Sequence, residues 1–334
     1  MPRISVLVPV HNAQSTLDQA LGSIAAQTYS EWEMLVVDDG STDDSLRLLR
    51  AWERRDRRIR LISLSARQGI VEALNHALSE ARGEFVARMD ADDVSLPRRF
   101  ERQLEFMTSR ALDAVGCRVR YFPDDLVQEG ARRYEGWLNQ LCGPAQHSLA
   151  LFVECPLAHP TLMIRMEALR RLGGYVDRGW PEDYDLLLRL WAAGGRLDKV
   201  PEELLLWREG AQRSSRTLEM YAPDAFRRCK AHYLRSTYLK DKPALIFGAG
   251  PIGKAMARCV AETGAEVCGF VDLDPRRIGQ TIHGKRVFPR QVGLALRGRA
   301  FGLAAVGRPG AREELAGVIR DAGWVEGEDF VSVA

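Results

Sequence analysis

The chain has 334 residues, 46% hydrophobic and 28% charged; this exceeds one ordinary domain and excludes a disordered or fibrous protein. Its 47 basic and 45 acidic side chains leave a formal net charge of +2, so no global field points to a nucleic-acid partner. The chain shows no secretory core near its start, no apolar run long enough for a membrane span and no C-x-x-C pair among its six cysteines, so a cytoplasmic protein with reduced thiols is expected.

From the N-terminus, β-rich runs alternate with helical-period segments. Strands are predicted at 4–10, 32–37, 60–64, 85–89 and 114–119, with helices at 17–26, 45–53, 71–81 and 97–107. That alternation is the signature of a parallel sheet covered by helices. The region 133–207 reads as less regular, with a strand at 161–164 and helices at 166–172 and 184–193. A long helix at 215–239 follows and runs into Lys240-Asp241-Lys242-Pro243. A proline cannot continue a helix and restricts the residue before it, so this charged stretch is the expected domain boundary. The expected domains are 1–240, ending in a helical extension from about 215, and 243–334.

The end of the fourth strand carries Arg88-Met89-Asp90-Ala91-Asp92-Asp93. Carboxylates at i and i+2 just past a strand can reach one hard cation, which a nucleotide diphosphate needs to neutralise its charge. A second acidic pair, Asp38-Asp39, ends the second strand before Gly40-Ser41, and Pro9-Val10-His11-Asn12 ends the first. In doubly wound sheets ligands bind at the carboxyl ends of the strands, so the three clusters belong to one rim. Asn12 and Gly40-Ser41 also suit a helix cap and a turn. The basic run Arg54, Arg55, Arg57, Arg58, Arg60 reads as a solvated helix end, with a surface for anionic lipid or glycan as the alternative.

These residues resemble family 2 glycosyltransferases of the GT-A fold. The resemblance runs through Ile4–Asn12, Gln27-Thr28-Tyr29, Val36–Asp43, Met89–Asp93, His159-Pro160-Thr161, Gly173-Gly174-Tyr175 and Pro181–Leu186, about two-thirds of the chain. It implies an inverting transferase that moves a sugar from a UDP-, GDP- or dTDP-sugar to a glycan or lipid-linked acceptor of polysaccharide or cell-surface glycan biosynthesis. Pro9 and His11 would line the nucleotide pocket, with Asp39 on the base. Asp90 and Asp92 would hold Mg²⁺ or Mn²⁺ against the diphosphate, Asp90 also contacting the donor. Asp183, within the pair Glu182-Asp183, would be the general base; a helix N-terminus rich in acids is the alternative for that pair.

Three positions depart from the family pattern. His11 stands where tyrosine is common, Leu74 where arginine is frequent, and Gly210 follows Trp207-Arg208-Glu209 where a histidine ligand often stands. Gly210 inclines toward the rival reading, a non-catalytic sugar-nucleotide sensor or scaffold of the same pathway. A lipid-linked acceptor is compatible with peripheral association at the inner face of a membrane, and self-association is left open.

Past Pro243, the segment Ala244–Gly253 gives G-x-G-x-x-G between a strand and a helical pattern, and Asp272 ends the next strand. Gly248, Gly250, Gly253 and Asp272 therefore predict a smaller Rossmann-like α/β domain, with a site for NAD(P) or another nucleotide as the alternative to a regulatory or scaffolding role. From 243 to 334 there is no tyrosine, so the Tyr/Lys pair of short-chain dehydrogenases is missing. A regulatory or binding module is the expectation.

Overall fold

The structure, a computed structural model, describes residues 2–210, 218–308 and 310–334. It is α/β throughout and divides into two compact units, Met1–His147 with Pro156–Arg178 and Asp185–Arg216, and Ser148–Cys155 with Gly179–Tyr184 and Thr217–Ala334. The boundary expected at 240–243 thus falls inside the second unit, which also takes two short segments from the middle of the chain.

The first unit is built on an eight-stranded sheet of β1 (Ile4–Val10), β2 (Trp32–Asp38), β3 (Ile59–Ser63), β4 (Phe85–Arg88), β5 (Val94–Ser95), β6 (Ala114–Phe122), β7 (Met163–Arg165) and β8 (Leu197–Arg208). The order is β3-β2-β1-β4-β7-β6-β8-β5. Strands β3, β2, β1 and β4 are parallel, and β7 pairs antiparallel with both β4 and β6. Strands β1 and β2 are buried along nearly their whole length, as expected of parallel strands covered on both faces. Helices α1 (Leu17–Ala25), α2 (Ser45–Arg55), α3 (Ile70–Glu80) and α4 (Arg99–Ser109) follow in chain order. On α1, Leu17, Ala20, Leu21 and Ile24 are buried, the i, i+3, i+4, i+7 stripe that packs a helix onto a sheet. The core joins Ile4, Val6, Val8, Leu21, Trp32, Val36, Phe85, Phe100 and Met163.

The middle of the chain is more regular than its sequence suggests. It holds helices Glu129–Gln140 and Pro144–Ala150 and the twelve-residue β8. Strand β8 runs parallel to β6 with its register shifted between Cys117↔Val200 and Arg118↔Glu203. Pro201, which has no N–H for the ladder, lies in that irregularity and breaks the strand pattern in the sequence.

The second unit has a six-stranded sheet of β9 (Ala244–Phe247), β10 (Val267–Asp272), β11 (Thr281–Ile282), β12 (Lys285–Pro289), β13 (Phe301–Ala304) and β14 (Phe330–Ser332), ordered β11-β12-β10-β9-β13-β14. All its neighbours are parallel except the β11–β12 pair. Leu245, Phe247, Ile319, Trp324 and Phe330 form its core.

The helix expected at 215–239 is corrected. Residues 215–217 lie outside the described residues, a short 3-10 turn covers Glu219–Tyr221, and the helix spans Pro223–Thr237. Pro223 suits a first helical position and forces Ala222 into extended backbone (φ −65°, ψ 150°), so the helix cannot extend back through it. All six cysteines are free thiols. Among the described residues no helix is long and apolar enough to cross a membrane.

Candidate active site

The register of the first sheet sets its rim. Val10 pairs with Asp38 and Leu7 with Arg88, so the chain leaves β1 at His11, β2 at Asp39 and β4 at Met89 along one edge. Two of these loops are knitted together. The Nδ1–H of His11 donates to the Asp39 carbonyl at 2.8 Å, and that tautomer leaves Nε2 to accept from Asn12 Nδ2 at 3.4 Å. Asn12 sits at φ 53°, a left-handed conformation that asparagine tolerates, and its Oδ1 accepts the N–H of Thr42 at 2.8 Å. Pro9, half-buried at the end of β1, pairs with Val37.

Asp39 is 4% exposed, and its two oxygens accept the consecutive N–H groups of Gln68 and Gly69 at 2.6 and 2.9 Å. Gly40 lets this loop approach: at φ 65°, a Cβ there would meet Arg67 N at 2.6 Å. The residue expected on the base thus also anchors the loop before α3. Each carboxylate oxygen retains accepting capacity beyond one N–H.

After β4 the chain brings Asp90, Asp92 and Asp93 together, with one ligand oxygen from each within 4.8 Å of the others. Buried Arg88 balances this charge: its Nη2 meets Asp90 Oδ1 at 2.5 Å and its Nη1 donates to the Met89 carbonyl. Arg99, fully buried, donates to the Arg88 carbonyl at 2.6 Å and to Gln103 at 3.0 Å. Burial lowers the Arg99 pKa to about 10, so it stays cationic at neutral pH. From β8, the N–H of Arg208 donates to Asp93 Oδ1 at 2.7 Å and its Nε to the Asp92 carbonyl at 2.6 Å. Thr16, just before α1, holds the Ala91 carbonyl at 2.9 Å. Three hard oxygen donors on a loop braced from β8 and α1 fit Mg²⁺ or Mn²⁺. Asp93, Arg88 and Arg208 were not singled out as site residues by sequence, although each lies within or beside a recognised motif.

A shallow depression of about 940 Å³, lined by Arg3, Glu31, Arg82, Glu84 and Arg171 among others, opens at the N-terminal ends of the strands. It lies across the sheet from the acid triplet and contains none of the expected site residues.

In the second unit, Glu182 and Asp183 open the helix Glu182–Ala192. Glu182 is fully buried, and its Oε2 accepts the Tyr221 hydroxyl at 2.7 Å. Asp183 is half-buried, and its Oδ1 accepts the N–H of Tyr184 at 2.7 Å. Of the pair, Asp183 is the more open to a substrate. Tyr221 is 39 residues from Glu182, and no local pattern announces it.

The glycine loop of the second unit is shaped by close approach. Gly248 has φ 113°, and a Cβ on Gly253 would meet the Gly248 carbonyl oxygen at 1.8 Å. Asp272 accepts the N–H of Ala249 at 2.9 Å and Arg277 Nη1 at 3.0 Å, and also the N–H of Asp274 at 2.9 Å. Burial alone would raise the Asp272 pKa, but the Asp274 and Ala249 N–H groups and Arg277 hold it below the ordinary aspartate value. Gly250 faces open space, with Arg277 Nη1 at 3.9 Å from a Cβ built there.

A family model described as Glycosyl transferase family 2 matches residues 5–173. The O-antigen biosynthesis glycosyltransferase WbnJ of Escherichia coli is 32% identical over 211 residues, 61% of this chain and 79% of that one. Among solved structures, S. aureus TarS 1-349 in complex with UDP-GlcNAc superposes with a TM-score of 0.57 at 18% identity, covering 78% of this chain and 71% of that chain. The mannosyltransferase PcManGT of Pyrobaculum calidifontis, in complex with GDP-Man and Mn2+, gives 0.52 at 23% identity over 78% and 69%. At these identities the two structures establish a shared fold.

Proposed function

Since the chain belongs to glycosyl transferase family 2, we propose that it transfers a sugar from a nucleotide-diphosphate sugar to a glycan or lipid-linked acceptor, with inversion and with a divalent cation. The observation that carries this reading is the acid triplet Asp90, Asp92 and Asp93, whose oxygens lie within 4.8 Å of one another on the rim where β1, β2 and β4 end. Pro9, His11 and Asp39 line the nucleotide side of that rim in this reading. The similarity to a structure holding GDP-Man and Mn2+ supports the donor and cation, and that to an O-antigen glycosyltransferase supports the acceptor class.

Asp90 and Asp92 would hold Mg²⁺ or Mn²⁺, which would supply positive charge against the diphosphate. Asp183 accepts the proton of the acceptor hydroxyl while the acceptor oxygen bonds to the anomeric carbon. The bond from that carbon to the phosphate oxygen breaks, and its electron pair leaves with the nucleoside diphosphate. One displacement inverts the anomeric centre without a covalent glycosyl-enzyme.

The second unit reads as a Rossmann-like module, supported by parallel β9 and β10, with Gly248 and Gly253 between them and Asp272 at the end of β10. It would take NAD(P) or another nucleotide as a binding or regulatory site, with no redox set of its own.

The test is hydrolysis and transfer across UDP-, GDP- and dTDP-sugars with and without chelator, reading the product anomer by NMR. Chelator-sensitive turnover with an inverted product supports the proposal. Donor binding without turnover favours the sensor, and a retained anomer excludes the single displacement.

A further inference from the structure

Helix α2 has one face committed to the core. Ser45, Leu49 and Trp52 are buried, while Arg47, Arg50 and Arg54 are exposed. At about 100° per residue, the three arginines fall within about 60° of one another and opposite the buried three. Arg57 continues the exposed charge in the turn after the helix. Arg47 pairs with Asp44 at 3.1 Å, a solvated pair of little strength. Arg50, Arg54 and Arg57 make no ion pair among the described residues. Their neighbours in the basic run are engaged: Arg58 with Asp56 at 2.7 Å and Arg60 with Glu80 at 2.6 Å. Nearby Glu53 is also exposed, and its Oε1 accepts the Leu61 N–H at 2.9 Å.

We propose that this arginine ridge docks the enzyme on an anionic phospholipid surface. The inference rests on the lipid-linked form of the acceptor proposed above. The shape of the ridge decides between phosphate sources. Guanidinium groups along a convex helix flank point outward over roughly 10 to 15 Å and cannot converge on one free phosphate. They can each meet a different headgroup of a flat array, and arginine binds phosphate in a bidentate manner. Single-stranded nucleic acid would call for exposed rings on which bases stack, but the one aromatic ring on α2, Trp52, lies on its buried face and is 8% exposed. The near-neutral charge of the whole chain matters less than this local excess, since such attraction acts within a Debye length.

The experiment is co-sedimentation of the full chain with vesicles of phosphatidylcholine alone and of phosphatidylcholine with phosphatidylglycerol, at low and high salt. Binding is expected to the anionic vesicles only and to weaken with salt. A basic residue near such a surface is worth about fivefold in affinity, so the triple variant Arg50→Gln/Arg54→Gln/Arg57→Gln should lose at least about tenfold. The matching triple lysine variant should keep most of the binding. Both variants change exposed positions, and circular dichroism melting checks that they fold. The proposal is overturned by equal binding to neutral vesicles, by no binding at all, or by a glutamine variant that binds like wild type. Inorganic phosphate displacing the chain more than chloride at matched ionic strength would overturn it in favour of a discrete anion pocket. Tighter binding to duplex DNA through the same arginines would overturn it in favour of nucleic acid. Vesicle binding by a chain that transfers no sugar to a water-soluble acceptor would support the surface while overturning the transferase reading.

Discussion

The hydroxyl of Tyr221 donates a 2.7 Å hydrogen bond to Oε2 of Glu182, the fully buried first residue of the helix that also carries Asp183. Glu182 is thereby fixed in place, and its neighbour Asp183 stays half-buried. Tyr221→Phe removes the donor and leaves the ring. A hydrogen bond of about 1 kcal/mol corresponds to about fivefold in rate when it positions a reacting group. Turnover should fall by that order with donor KM unchanged, as steady-state kinetics would show. A lower melting temperature with normal turnover of the folded enzyme would mean that Tyr221 only supports the fold.

Asp183→Asn should lower transfer by roughly 10²-fold or more, the range for loss of a positioned base. Asparagine is nearly isosteric and its Oδ1 can still accept the Tyr184 N–H that Asp183 accepts at 2.7 Å. Donor affinity and melting temperature should therefore stay near wild type. Near-normal transfer would move the base to another residue.

His159 links pH to the stability of the first unit. Burial, with the positive charge of Arg88 second, holds its pKa well below the ordinary 6.5, and its Nε2 lies 3.1 Å from the Tyr175 hydroxyl. The folded imidazole stays neutral where the unfolded chain would bind a proton. This contribution is present above about pH 6.5 and is lost as the pH falls below it. His159→Gln should flatten the fall in melting temperature between about pH 7 and pH 5.5. An unchanged slope would assign the acid sensitivity to other groups.

Gly210 stands where the family pattern often has a histidine, and among the described residues a Cβ there would meet no atom within 4 Å. Gly210→His should raise Mn²⁺ affinity by about tenfold, the order expected of one imidazole added to an oxygen site. Titration calorimetry with Mn²⁺ and a nucleoside diphosphate measures it, and an unchanged affinity would place residue 210 away from the cation.

The strands that carry the rim were legible because each is a continuous apolar run ending in a polar cluster. Ile4–Val10 matches the predicted run, and Trp32–Asp38 and Phe85–Arg88 end within one residue of theirs. Asp90 and Asp92 were legible for the same reason: the acids follow the strand directly. Arg208 as a brace was not, since it acts through its own N–H and a carbonyl over 115 and 116 residues. Strand β8 was hidden by Pro201-Glu202-Glu203, which breaks both alternation and apolar continuity at the register shift. The predicted long helix was over-extended because helical periodicity before Pro223 outweighed the proline, which restricts the residue preceding it.

The central claim is that Asp90 and Asp92 hold a divalent cation against the donor diphosphate, and calorimetry on Asp92→Ala tests it most directly. A methyl group offers no oxygen to a hard cation, so the alanine variant would lose one of the carboxylates that would hold it. UDP, GDP and dTDP would be titrated into wild type and variant with Mn²⁺ and with chelator, after melting curves confirm that the variant is folded. The expected result is Mn²⁺-dependent binding of one nucleotide by wild type, weakened at least about tenfold in Asp92→Ala. Equal Mn²⁺-dependent affinity in a folded Asp92→Ala variant would contradict the account.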